Sequence, residues 1–308
     1  MSNALSPVVL SSPGALVASI PYILGFTPSM SIVAVWIKDG SVLLTQRADT
    51  EPTLADPRAF YGPADQQNPD EVVLVTYGKI DRQKAIDFSD TFPTHVKDFL
   101  WVKDGRWASL MCDDPECCPP QGRDIDTSVP PEFVIEGVAP LLDREQLKND
   151  CRPVGTVRLD PTRLNEEERD QYLSRLAKAM SRAPRTAPVL RELGCALFDI
   201  RVRDTVLWEA VRTDKQQKAY DLFSAICRTL HPQDVAPAAT CAAISAWQLG
   251  DGARALVALD FAQEADPDYG LANLVRLSLS SGLHPSAWTE SMQALTRDAC
   301  RYGTGGSK

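Results

Sequence analysis

Apolar and polar positions form the same β-rich pattern twice in the first third of the chain. Ile32–Ile37 and Val42–Gln46 flank Lys38-Asp39-Gly40-Ser41, and Asp98–Val102 and Trp107–Met111 flank Lys103-Asp104-Gly105-Arg106. An Asp-Gly pair between such runs predicts a hairpin, because both central residues of the tight turn take positive φ. Val72–Tyr77 reads as a further strand and Asp81–Thr91 as a helix. Upstream, Val8–Leu10 reads as a strand, and Ser12 as N-cap with Pro13 at the first helical position predicts a helix to about Ile20.

The hairpins share Trp36-Ile-Lys-Asp-Gly40 and Trp101-Val-Lys-Asp-Gly105, and a strand and helix precede each. Residues 5–111 therefore predict a mixed α/β or α+β domain in which two β-α-β-β units would account for the echo. The alternative is two unrelated Asp-Gly hairpins.

Prolines at 115, 119, 120, 130, 131, 140, 153 and 161 break any long period across 112–164. This stretch reads as a Cys/Pro-rich irregular connector with a short helix near Asp143–Lys148. From Asn165 the period becomes helical. Asn165-Glu-Glu-Glu168 has capping-box spacing, and Tyr172, Leu173, Leu176 and Met180 fall on one face. Further helices are expected over about 189–200, 204–212, 215–230, 236–249, 251–265, 269–281 and 286–300, giving an all-α domain over 165–302. Gly250-Asp251 followed by Ala255, Leu259, Ala262, Pro267 and Tyr269 matches the second helix of a tetratricopeptide repeat; Ala219, Phe223, Ile226 and Pro232 echo it. Ala239 and Ala243 stand where that repeat prefers Trp and Gly in its first helix. Gly303–Lys308 is composed like a flexible tail.

Composition narrows the class. The chain has 308 residues, 44% hydrophobic and 24% charged, which suits a globular protein with a real core. Lys and Arg total 32 against 41 acids, a formal charge of −9, which argues against nucleic-acid or anionic-membrane partners. No apolar stretch is long enough to span a bilayer, and Gly14–Phe26 lacks a basic leader, so the expected location is cytoplasmic. Eight cysteines in such a chain do not form a disulfide scaffold.

Three of those cysteines cluster in Cys112-Asp-Asp-Pro-Glu-Cys117-Cys118-Pro-Pro-Gln-Gly122. Thiolates are good zinc ligands, and this spacing can return a loop to one ion, with Asp114, Cys151 or one of His95, His231 and His284 as fourth ligand. The competing readings are a tight loop with packed thiols, or a redox pair. Asp113, Asp114 and Glu116 disfavour a reactive thiolate, since neighbouring negative charge raises a thiol pKa. Arg47 and Asp49, two apart at a strand end, face one side of a sheet, where they either bind a ligand or form a structural ion pair. Ser31 is a third candidate, read as satisfying backbone groups in a turn. No phosphate-binding glycine loop and no Ser-His-Asp or Cys-His set can be assembled.

Several landmarks together resemble a known family. They are Pro21, Gly25, Phe26, Pro28 and Ser31; Arg47 and Asp49; Arg106 and Trp107; the cysteine block to Gly122; Trp247–Ala253; and Ala262 or Ala265 through Tyr269. The pattern is similar to the actinobacterial family called domain of unknown function 4192. This chain departs from it at Thr50-Glu51-Pro52, where Leu-Pro is usual, and at Asp143-Arg144, where Ser-Arg is frequent. The resemblance implies an actinobacterial or phage source and no assigned activity.

These readings lead to a protein-interaction or regulatory module that offers its helical half to a protein partner. The alternative is an enzyme or zinc-dependent sensor whose site joins Arg47 and Asp49 to the cysteine loop.

Overall fold

The computed structural model describes residues 12–78, 80–126, 140–181 and 186–303. The chain divides after Arg144 into two compact units. Residues 112–126 and 140–144 group with the first, and 145–164 with the second. The strand expected over Val8–Leu10 and the tail after Gly303 lie outside the described residues. Among the described residues, no helix is long and apolar enough to cross a membrane.

The first unit is built on a six-stranded mixed sheet. Helix α1 (Pro13–Leu24) begins at Ser12, whose side chain accepts from Ala15 N, and ends at Gly25, whose φ of 76° needs no Cβ. Strands β1 (Ser31–Lys38) and β2 (Ser41–Asp49) form the first hairpin. Helices α2 (Thr50–Ala55) and α3 (Pro57–Asp65) follow. Strand β3 (Glu71–Tyr77) leads through α4 (Arg82–Ser89) to β4 (His95–Lys103), a parallel crossover. Strands β5 (Arg106–Ser109) and β6 (Arg123–Asp124) complete the sheet.

Both predicted hairpins form, with Asp39, Gly40, Asp104 and Gly105 all at φ between 50° and 74°. The strand order is β2-β1-β3-β4-β5-β6, with β3 antiparallel to β1. This order bears on the expected pair of β-α-β-β units. In the second set, β4 lies beside its own opening strand β3; in the first, β2 and β3 occupy both edges of β1. The opening strand that the first set needs, Val8–Leu10, lies outside the described residues.

One face of the sheet packs Ile32, Ala34, Trp36, Val72, Leu74 and Phe99 against Phe60, Ala85, Phe88 and Phe92 from the α2–α4 side. On the opposite face lies α1, with Leu16, Val17 and Ile20 buried. Gly14 sits against the indole of Trp107, where a Cβ would come within 3.3 Å.

The second unit is helical: α5 (Arg144–Cys151, of which all but Arg144 belongs here), α6 (Glu166–Ser181), α7 (Ala187–Ala196), α8 (Ile200–Arg212), α9 (Gln216–Thr229), α10 (Ala236–Gln248), α11 (Gly252–Ala265), α12 (Gly270–Ser280), α13 (Ser286–Ala294) and α14 (Arg297–Tyr302). The capping box closes as read: Glu168 N donates to Asn165 Oδ1 at 3.0 Å and Asn165 N to Glu168 Oε2 at 2.8 Å. Helix α10 is buried along nearly its whole length, and its alanines allow close approach of α9 and α11. The single helix expected over 286–300 is two. Thr296 Oγ1 accepts from Ala299 N to start α14, while Trp208 Nε1 and Arg212 take the carbonyls of Leu295 and Gln293.

Candidate functional site

The three clustered cysteines come together. The Sγ atoms of Cys112, Cys117 and Cys118 lie within 4.8 Å of one another, and all three thiols are free. Backbone amides and two arginines hold the loop. Cys118 N donates to Asp114 O at 2.7 Å, Glu116 N to Asp114 Oδ1 at 2.9 Å, and Gly122 N to Pro119 O at 2.8 Å. Arg123 Nε donates to Cys117 O at 2.8 Å, and Arg82 pairs with Asp113. At Gly122, φ is +75° and a Cβ would meet Trp101 and the Trp107 carbonyl at 3.0 Å, so glycine is required there. Burial pushes the Cys118 thiol up, and its neighbours Cys112 and Cys117 add to this.

Among the described residues, the candidate ligand atoms that converge here are the three thiols, without Asp114 or His95. Asp114 turns its Oδ1 back onto the Glu116 amide. Cys151 is buried in the core of the second unit, with its Sγ 3.5 Å from Ser224 Oγ. His231 and His284, also in that unit, accept from Gln233 N and Ser286 N through Nδ1.

Arg47 and Asp49 form an ion pair at 2.7 Å on the edge strand β2. The cysteine loop follows β5, four strand spacings or about 19 Å away across the sheet. A site shared by the two is therefore not formed.

Register assembles a different group around Arg47. Residues opposite one another on adjacent strands share a face. Asp49 pairs with Ser31, Ser31 with Tyr77, Arg47 with Val33, and Thr45 with Val35, so Thr45, Arg47, Asp49, Ser31 and Tyr77 share one face. Parallel register adds Val102 and antiparallel register Trp107, the residue against which α1 packs. On this face Ser31 Oγ, Thr45 Oγ1, Arg47 Nε and Tyr77 Oη are buried without a hydrogen-bond partner among the described residues. The turn role expected of Ser31 is not what it does: it opens β1, fully buried, and its hydroxyl has no hydrogen-bond partner among the described residues.

Tyr77 lines a cavity of about 480 Å³ at the carboxyl ends of the parallel strands β3 and β4. Val17 and Pro21 of α1, Ser29 and Met30, Gly78, and the Lys103–Gly105 turn contribute to its wall. Arg47 Nη2 reaches the carbonyl of Ser29 at 3.4 Å, so the ion pair braces a lining loop without entering the cavity. Met30 holds φ at 46°, an uncommon value for a long side chain, and Gly78, Asp104 and Gly105 are also at positive φ. Tyr77 is 7% exposed, and burial pushes its phenol well above its ordinary pKa, so it stands as a neutral donor. Sequence reasoning missed it. The signal available was a tyrosine closing the Val72–Thr76 run directly before Gly78.

The fold is thus a mixed-sheet α/β unit with a cavity at its strand ends, followed by a helical unit. The chain belongs to the family described as Domain of unknown function (DUF4192), whose model matches residues 13–286. No curated protein and no solved structure matches it.

Proposed function

We propose that the protein is a ligand-responsive regulatory protein whose α/β unit binds a small molecule at the strand ends. The observation that carries this reading is that Tyr77, a residue lining the cavity, keeps a buried hydroxyl without a hydrogen-bond partner among the described residues. A buried hydroxyl without a partner costs about 1–3 kcal/mol, a cost that a ligand acceptor removes on binding. The volume falls within the ordinary range for small-molecule sites, and carboxyl ends of parallel strands are where α/β sheets bind ligands. The ligand class that suits the lining is a small, largely apolar molecule bearing one hydrogen-bond acceptor.

The test is ligand-observed NMR with small aromatic carboxylates and amides, on wild type, Tyr77→Phe and Ala18→Phe. Ala18 lines the cavity from α1, so its enlargement fills the space. Wild type is expected to bind members of the set, with both variants at least tenfold weaker and Tyr77→Phe melting no lower than wild type. Binding that survives both substitutions would sink the reading.

A second reading concerns the helical unit, as a surface for a protein partner built from tetratricopeptide-like helix pairs. It is supported by the short Leu249–Asp251 turn that makes α10 and α11 antiparallel neighbours, and by the small residues buried between them. It is favoured by Leu274 and Leu277, 56% and 65% exposed at helical spacing on α12. The occupant that suits such a pair is an amphipathic helix presenting leucines of its own. Leu274→Glu with Leu277→Glu should leave the fold intact and abolish cross-linking to such a helical peptide; unchanged cross-linking would remove the reading.

A further inference from the structure

The cysteine loop lies outside that reading and carries its own chemistry. We propose that Cys112, Cys117 and Cys118 bind one Zn2+ through three thiolates, with the fourth coordination position open to solvent or an incoming ligand.

The geometry is close to that of a filled site. Zn–S bonds of about 2.3 Å at tetrahedral angles set sulfurs about 3.8 Å apart. The three Sγ atoms already lie within 4.8 Å, so each pair closes by about 1 Å or less on binding. Little backbone movement is needed, because the turn is fixed by its own amide bonds, by Arg123 on the Cys117 carbonyl and by Gly122 against the Trp101 ring. Such preorganisation lowers the ordering cost of binding. A soft, three-sulfur donor set selects zinc over magnesium or calcium, which prefer oxygen ligands.

The charge balance sets two arginines against the loop's acids Asp113, Asp114 and Glu116. As the Zn–S bonds form, three thiol protons leave to solvent and a dication enters, so the centre carries one net negative charge. Arg82 and Arg123 both reach the loop, one paired with Asp113 and the other hydrogen-bonded to the Cys117 and Glu116 carbonyls. Among the described residues the ligand set stops at three. The ligand atoms that converge are the three thiols, and Cys117 is exposed, so solvent reaches the centre. Three protein ligands with an open position distinguish exchangeable or reactive zinc sites from closed structural ones.

The residues that follow the loop reach the cavity. The last residues of the loop lead into β6, which pairs with β5, and Ile125, which lines the cavity, donates its N–H to Gly105 O at 2.9 Å. The metal readouts below do not depend on that link or on Tyr77.

The experiment is elemental mass spectrometry on the full chain, purified without chelator, beside Cys117→Ser, Cys117→His and Cys195→Ser. Close to one zinc per wild-type chain is expected, below a tenth in Cys117→Ser, and near wild-type content in the other two. Histidine can replace a thiolate ligand, and Cys195 lies on α7 outside the cluster. If Cys117→Ser does not fold, cobalt reconstitution of wild type decides. A near-ultraviolet sulfur-to-cobalt band, with visible bands that shift on adding imidazole, supports three thiolates and an open position. Absence of zinc after anaerobic reconstitution, full retention by Cys117→Ser, or cobalt bands indifferent to imidazole would overturn the proposal. A mass two hydrogens short of the fully reduced chain, with no metal, would assign the loop to disulfide chemistry instead.

Discussion

Asp49 and Asp234 both pair with an arginine, yet burial gives the two pairs different weight. The Asp49 carboxylate is 65% exposed, and its bond to Arg47 at 2.7 Å replaces contacts that water would supply equally well. Asp234 is 4% exposed. It accepts from Arg158 Nε at 2.9 Å and from the Leu159 amide at 2.8 Å, which fastens the segment before α6 to the turn before α10. Removing it leaves the Leu159 amide without its acceptor and Arg158 with Gln233 Oε1 as its remaining partner. Asp234→Ala is therefore expected to cost about 2–4 kcal/mol and Asp49→Ala less than about 1 kcal/mol, read from denaturant midpoints at constant slope. Equal losses would mean that exposure does not separate the two pairs. The same contrast runs through the thiols. Burial pushes Cys241 up to about 12, which keeps it an inert core group, whereas Cys117 is exposed within its cluster.

Elements with a local code were legible in the sequence. The Asp-Gly hairpins, Ser12-Pro13 before α1 and the Asn165–Glu168 box each write their geometry within a few residues, and each formed as read. The pair α2 and α3 was not foreseen, because prolines at 52, 57 and 63 disrupt the apolar period over those residues. One signal was there to be used: Asp56 before Pro57 repeats the Ser12-Pro13 code, and Asp56 Oδ1 accepts from Ala59 N. The break at Leu295 was hidden for another reason. Its freed carbonyl is taken by Trp208, a residue of α8 distant in sequence. The candidate sites divide along the same line. The cysteine spacing is local and pointed to a cluster that does form. The meeting of Ser31 with Tyr77 depends on register between strands far apart in the chain, which no local pattern encodes.

At the scale of the whole molecule, the two units obey different pairing rules. The second is assembled largely from helices packed on near neighbours in sequence, as in α10 on α9 and α11. The first places β3 between β1 and β4, so the central strand of the sheet pairs with β1 across the intervening β2, α2 and α3. Non-local pairing must close a long loop before any contact compensates, so it forms slowly. That strand order has a consequence for synthesis. The half that emerges first from the ribosome is the slower to fold, and until residue 77 is outside the exit tunnel β1 has only its hairpin partner. The nascent chain then carries Ile32–Ile37 with one unsatisfied edge, the kind of segment chaperones bind. In refolding from denaturant followed by brief proteolysis, fragments from 145–303 should become resistant before those from 12–126. Simultaneous protection of both would mean that the sheet forms as fast as the helices, and that strand order does not set the pace.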